Sequence, residues 1–292
     1  MQPFIEIPSV SLLDEQCPTV NDLKKMARSL GLEFGWHYLL DLTWILRQLG
    51  PVTGKRIMDA GAGTGIMQWY LADNGAEVFS VDRGSRADLP LRFRSRFQVR
   101  GLRREDLLPA WRVVRDKLRG PGKLRVKIST QARDLLSVSA GRHAPGRVIV
   151  YNQDLKALAD IADNSLDAIV AVSALEHNSP DDLPRVVAEL MRVLKPGGAL
   201  LATLCAARDQ DRFHQPSQGW CYTDASLRRH FNLPPYTPSN YARYDELFTA
   251  LVGCAELRDH LARFYSRSGG NGMPWGKWDP QYQPVGVCKI KE

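Results

Sequence analysis

Hydrophobic and polar positions along the chain change period several times. Val20 to Leu30 and Gly35 to Leu49 carry apolar residues at helical spacing, with Leu39, Leu42 and Leu46 on one stripe and Trp36 and Leu49 extending it. Gly50-Pro51 ends that run, so residues 1–50 are expected to form a helical cap after a loose start. The texture then shortens. Residues 56–59 read as a buried strand, 66–72 as a helix closed by Asn74-Gly75, and 77–81 as a second strand ending in Asp82. Further strands are expected over 148–151, 166–172 and 199–204. A helix starting near Asp181 carries Leu183, Val186, Val187, Leu190 and Leu194, with Pro184 in its first turn. Lys195-Pro-Gly-Gly198 is expected to stop it. Strands alternating with helices predict an α/β fold with a doubly wound, mostly parallel sheet covered on both faces. Residues 208–292 read as loops with short elements and a closing strand over 285–290.

The chain has 292 residues, 44% hydrophobic and 24% charged, the composition of an ordinary globular protein and enough for one sizeable core. No apolar run approaches a membrane span, and the first residues lack the basic and apolar regions of a secretory signal. Five scattered cysteines without CxxC spacing argue against a disulfide scaffold or a structural zinc site. No metal is expected, and a cytoplasmic location follows. The charge is uneven. Residues 83–147 hold 18 Lys and Arg against 5 Asp and Glu, or +13, whereas the whole chain is only +7. Within this basic segment a helix is expected between Arg104 and Arg119, with Leu107, Leu108, Trp111, Val114 and Leu118 on one side. Such a segment is either a solvated face with internal partners or a surface for something anionic: an acceptor, a membrane surface (a peripheral location) or RNA.

Candidate chemistry gathers where the first strand meets its helix. Asp59-Ala-Gly61-Ala62-Gly63-Thr-Gly65 sits outside the carboxyl end of a parallel strand, where ligands bind in open α/β sheets. Glycines admit backbone angles that other residues resist and bring bare amides close to a ligand. Asp82 ends the neighbouring strand, where an acid can take the two ribose hydroxyls of a nucleoside. The spacing is GxGxG, not the GxGxxG of dinucleotide folds, and Walker A fails because Arg56 follows Lys55. An acid inside the turn suits a ligand with an ammonium group better than a pyrophosphate.

On these residues the chain resembles the class I S-adenosylmethionine (SAM)-dependent methyltransferases, most closely their small-molecule type 11 group, from Lys55 to Ala206 apart from the basic insert. The resemblance implies a Rossmann-like sheet in a single domain over 1–292, with the helical cap over 1–50, an insert over 83–147 after the second strand and a substrate-side region over 208–292. It implies SAM as cofactor, its amino-acid end on Asp59, Gly61, Ala62, Gly63 and Gly65, and its ribose on Asp82. Its adenine edge would lie at Asp154 and Leu155, and the strand leading to Ser173 would deliver Ala174-Leu175-Glu176-His177 to the mouth of the site. His177 is then the candidate general base, with a structural hydrogen bond as its alternative role. Trp36, Tyr38, His214, Trp220 and Tyr222 are candidate substrate contacts, or core. The implied reaction is methylation of a small-molecule or a glycan- or lipid-linked acceptor. The alternatives are a SAM-binding scaffold without turnover, an RNA- or membrane-binding module acting through the insert, and an NAD-dependent enzyme, against which the glycine spacing argues.

Overall fold

The computed structural model describes residues 2–119, 143–264 and 277–292. The chain opens with β1 (Phe4–Glu6), α1 (Ser11–Glu15), α2 (Cys17–Leu30) and α3 (Tyr38–Leu49). α2 buries Val20, Leu23, Met26, Ala27 and Leu30, one stripe of a 3.6-residue repeat, whereas α3 is buried on most sides. Next come β2 (Arg56–Ala60), α4 (Met67–Asp73) and β3 (Glu77–Asp82). The basic segment forms α5 (Leu91–Arg96), β4 (Arg100–Gly101) and α6 (Ala110–Arg119). The pattern then resumes with β5 (Arg147–Asn152), β6 (Leu166–Val172), α7 (Leu183–Val193) and β7 (Leu194–Ala206). β8 (Arg212–His214), β9 (Gly219–Tyr222), α8 (Asp224–His230), α9 (Tyr244–Val252), α10 (Ala255–Phe264) and β10 (Gln283–Ile290) complete the described elements.

The main sheet runs β1-β10-β7-β6-β2-β3-β5-β4, with β9 paired to the end of β7 and β8 to β9. From β7 to β4 every neighbour is parallel, and β10 lies antiparallel between β7 and β1. Side chains alternate between two cores. Ile57, Val78, Val148, Ala168 and Leu201 pack with α1 to α5. Their neighbours Met58, Phe79, Ile149, Ile169 and Leu200 pack with α7 and α8. This is the doubly wound, mostly parallel arrangement that the sequence predicts. β2 pairs with β3 on one side and β6 on the other, so the chain leaves β2 in one direction and returns on its other flank. That reversal opens a crevice at the carboxyl ends of β2 and β6.

Two local expectations need correction. The Lys195-Pro-Gly-Gly198 turn lies inside β7 rather than before it. Leu194 pairs with Leu166 and Ala199 with Ala168, so the intervening residues bulge from the ladder while Lys195 Nζ reaches Asp167 Oδ1 at 2.6 Å. The described part of 208–292 forms short elements, helices as well as strands, and closes on β10 as expected. In α6 the residue turned to the body is Val113, 1% exposed, whereas Trp111 is 64% exposed with Arg115 over its ring.

The basic segment is part of the domain. β4 extends the sheet beside β5, and its arginines find partners in the same chain. Arg94 donates to the carbonyls of Ala87, Leu89 and Leu108, Arg96 pairs with Asp73, Arg103 with Asp160 and Arg147 with Glu77. Positions 120–142 of the segment lie outside the described residues. Among the described residues no helix is long and apolar enough to cross a membrane.

Candidate active site

The turn after β2 is held from below. The amides of Gly61 and Ala62 both donate to the Val81 carbonyl, at 2.9 and 3.0 Å, which ties the turn to β3. Gln68, in the first turns of α4, points its Nε2 at the carbonyls of Ala62, Gly63 and Gly65 (3.3, 3.3 and 3.0 Å) and accepts from Ser80 Oγ at 2.6 Å. Arg86, from the start of the basic segment, is 6% exposed. It donates to the carbonyl of Ser80 at 2.6 Å, to those of Gly63 and Tyr151 at 3.3 Å, and to Ser80 Oγ. One buried guanidinium thus joins the turn, β3 and β5. Burial lowers its pKa, while Asp82, Asp59 and Asp106 raise it in return. Neither Gln68 nor Arg86 was legible as a site residue: one reads as a polar helix position, the other as one arginine among many.

Above this frame lies a cavity of about 680 Å³, within the roughly 300–1,000 Å³ of clefts that hold cofactor-sized ligands. Asp59, Gly61, Ala62, Gly63, Gly65, Asp82, Asp154, Leu155 and Ser173 all line it. Tyr38 and His177 line it as well, and Leu32 to Gly35, between α2 and α3, form its cap-side wall. Asp82 is fixed by two backbone amides, Gly63 N–H on Oδ2 at 2.9 Å and Gly84 N–H on Oδ1 at 2.7 Å. Asp59 is 2% exposed, and its pKa is pushed up to about 7, chiefly by burial. The field of Arg86 and a backbone hydrogen bond at Gln68 oppose that rise, and Asp82 adds to it. An acid so poised gains most from a cation placed beside it. The crevice is open to a ligand with an adenosyl moiety and an ammonium group, and its donor set fits one: a carboxylate for the ammonium, a carboxylate for a ribose, and a turn with room for backbone approach.

A smaller chamber of about 70 Å³ adjoins the first, and Gly35, Tyr38, Ser173 and His177 line both. Trp36, His37, Glu176, Ser217 and Tyr282 complete its wall. Ser173 ends β6 with φ +46°, a conformation that costs a non-glycine residue about 1–3 kcal/mol and is held here by bonds from its amide to the carbonyl and Oγ1 of Thr203. Its hydroxyl donates to Glu176 Oε1 at 2.5 Å. Glu176 is 1% exposed and its Oε2 has no hydrogen-bond partner among the described residues. Burial raises its pKa, against the opposing effects of His177, Ser173 and His37. His177 is exposed, and its Nδ1 lies 2.9 Å from the carbonyl of Gln218. A carbonyl only accepts, so Nδ1 carries the proton and Nε2 of the neutral ring is left as the acceptor.

The candidate substrate contacts separate. Tyr38 borders both chambers, and Trp36 borders the smaller one. His214 lines neither. It stands behind the small chamber, with its Nδ1 2.7 Å from Ser217 Oγ and its ring 5.0 Å from that of Tyr282. Trp220 packs on Phe213 and Tyr222 is fully buried against His230, and neither lines a chamber. The sequence singled out neither Asp41 nor Tyr282. His37 Nδ1 is 2.7 Å from Asp41 Oδ2 and its Nε2 3.3 Å from Tyr282 Oη, and all three are buried. The i, i+4 spacing of His37 and Asp41 at the start of α3 is a usable signal, but it is common on any helix.

Residues 124–202 match the family model described as a methyltransferase domain. The match begins within the basic segment and takes in β5, β6, α7 and most of β7, and it stops short of the glycine turn. No curated protein matches the chain. Among solved structures, the chain is similar to a putative sarcosine dimethylglycine methyltransferase from Galdieria sulphuraria, at 18% identity over 86% of this chain and 82% of that one, with a TM-score of 0.44. It is similar to the 1,6-didemethyltoxoflavin-N1-methyltransferase of Burkholderia thailandensis, with 16% identity, 76% and 75% coverage and a TM-score of 0.41. A Haemonchus contortus phosphoethanolamine N-methyltransferase gives 15% identity, 96% and 60% coverage and a TM-score of 0.49.

Proposed function

We propose that the chain is a class I SAM-dependent methyltransferase and that it methylates a small molecule seated between the glycine turn and the N-terminal cap. The observation that carries this reading is the pair of adjacent chambers. The larger is lined by every residue expected to hold SAM, and the smaller shares Gly35, Tyr38, Ser173 and His177 with it.

SAM supplies a methyl group already made electrophilic by its sulfonium, so the protein need form no covalent intermediate. What remains for these residues is holding, aligning and proton removal. Asp59 and the close backbone of the glycine turn take the amino-acid end, Asp82 the ribose hydroxyls, and Asp154 with Leu155 the adenine edge. Fixing two reactants in line can be worth about 7–11 kcal/mol of a barrier. Leu32 to Tyr38 close over the crevice and exclude water. His177 Nε2, directed by the bond at Nδ1, receives the proton that an oxygen or nitrogen nucleophile sheds.

The test is incubation with methyl-labelled SAM and a whole-cell lysate fractionated into small molecules, protein, RNA and glycan. Label appearing in a low-mass product, with an equal amount of S-adenosylhomocysteine (SAH) released, is expected. Label confined to protein, RNA or glycan would overturn the small-molecule assignment.

A further inference from the structure

The smaller chamber has a composition that selects among acceptors. Among the described residues that line it there is no Lys or Arg. Trp36, Tyr38 and Tyr282 supply aromatic rings, with Trp36 and Tyr282 edge to face at 5.2 Å and the His37 ring within 5.5 Å of Trp36, Tyr38 and Tyr282. Glu176 lines the same chamber, 1% exposed, with one carboxyl oxygen satisfied by Ser173 and the other without a hydrogen-bond partner among the described residues. A buried carboxyl oxygen left without a donor costs about 1–3 kcal/mol, and a ligand N–H would recover it. Aromatic faces attract cations, most strongly where water is excluded. A volume of about 70 Å³ admits a group of only a few heavy atoms.

We infer that this chamber is the acceptor subsite and that it takes an alkylammonium group, so that the methylated atom is an amine nitrogen. The inference rests on the methyltransferase reading above and narrows its acceptor. Glu176 Oε2 accepts an N–H of the bound ammonium, and the rings of Trp36, Tyr38 and Tyr282 surround its carbon substituents. Before transfer the ammonium gives one proton to an imidazole nitrogen at the chamber wall, His177 Nε2. The freed lone pair then forms the N–C bond to the methyl carbon as the C–S bond breaks and its electron pair stays on sulfur. The products are a methylated ammonium and a neutral thioether. His37, fixed between Asp41 and Tyr282, is a positioning residue that sets the Tyr282 ring in the wall.

The experiment measures binding of n-propylammonium by calorimetry and ligand-observed NMR, alone and with saturating SAH. Two near-isosteric probes, 1-propanol and acetate, run in parallel. Ammonium binding at least about tenfold tighter than either is expected, the size of a charge-assisted hydrogen bond. Glu176→Gln, which keeps shape and removes charge, is expected to lose that margin while SAH affinity stays within about twofold. Equal binding of the alcohol or the carboxylate, or full retention of ammonium affinity in Glu176→Gln, would overturn the inference. Should that variant fail to fold, the discrimination among the three probes by the wild type decides alone. SAH binding is read separately in the same samples. Its absence would count against the methyltransferase reading, and the SAH-free titration would still decide the chamber.

Discussion

A Cβ on Gly61 would stand 2.4 Å from the Cβ of Ala174. The glycine turn after β2 and the loop after β6 therefore meet at a point where no side chain fits, and this contact sets the width of the crevice at the strand reversal. Gly61 also holds φ at +75°, which any other residue resists. Gly61→Ala is expected to destabilise the fold by about 1–3 kcal/mol and to weaken SAH binding more than tenfold. Chemical denaturation and calorimetry on the same variant check both. An unchanged affinity would mean that the turn does not approach the ligand.

The ionisation of Asp59 couples cofactor binding to pH. Its pKa of about 7 in the free protein means that a proton competes with any cationic ligand at neutral pH. Affinity for SAH, whose amino-acid end is the same, should rise as pH increases through 7 and level off above about 8. Below 7 it should fall by up to about tenfold per unit. Calorimetry from pH 5.5 to 8.5 measures the slope, and Asp59→Asn should flatten it.

The same shift has a cost in stability. The folded pKa lies above the ordinary value of 3.8, so burial of the ionised acid opposes folding. That cost is absent below pH 3.8, grows from there to about pH 7 and is level above. Asp59→Asn is expected to be more stable than the wild type at pH 8, by up to about 4 kcal/mol, with the gap narrowing as pH falls toward 4. Denaturation midpoints at pH 5 and pH 8 would show the trend.

Arg86 is the test of whether the basic segment belongs to the site. Its guanidinium joins Gly63, Ser80 and Tyr151 by hydrogen bonds and faces the field of Asp59 and Asp82. Arg86→Met leaves the Ser80 and Tyr151 carbonyls without that donor and two acids without their nearest buried cation. A loss of about 3–5 kcal/mol in stability is expected, together with a further rise in the Asp59 pKa. The latter would appear as an upward shift of the pH midpoint for SAH binding in any variant that remains folded.

The tyrosine of the cap depends on a missing side chain. A Cβ on Gly35 would fall 2.8 Å from the Tyr38 ring, so Gly35→Ala must displace the ring that borders both chambers. The expected effect is a rise in KM for the acceptor of about tenfold, from lost packing of one aromatic wall, with the fold intact.

Much of the crevice was legible because its parts are local. Asp59 to Gly65, Asp82, Asp154 and Ser173 each end a strand or begin a turn, and strand order alone brings them to one edge. The small chamber was not legible in the same way. It is assembled from Trp36 to Tyr38 at the start of α3, Glu176 after β6, Ser217 between β8 and β9, and Tyr282 before β10, four places far apart in the chain. No period or spacing relates them. The aromatic residues of 208–292 illustrate the difficulty. Trp220 and Tyr222 sit close to Ser217 in sequence, yet neither lines a chamber, whereas Tyr282 does. For the basic segment the sequence left internal partners as one of two readings, because charge counted along the chain does not reveal which acceptors folding brings to it; among the described residues these include Asp73, Glu77 and Asp160.

The most direct measurement is titration of the purified chain with SAH by calorimetry, beside Asp82→Asn. The wild type is expected to bind one SAH per chain, and the variant to bind at least about tenfold more weakly because a ribose diol has lost its charged acceptor. No binding by the folded wild type, or equal affinity in the two proteins, would contradict the assignment of this crevice to the cofactor.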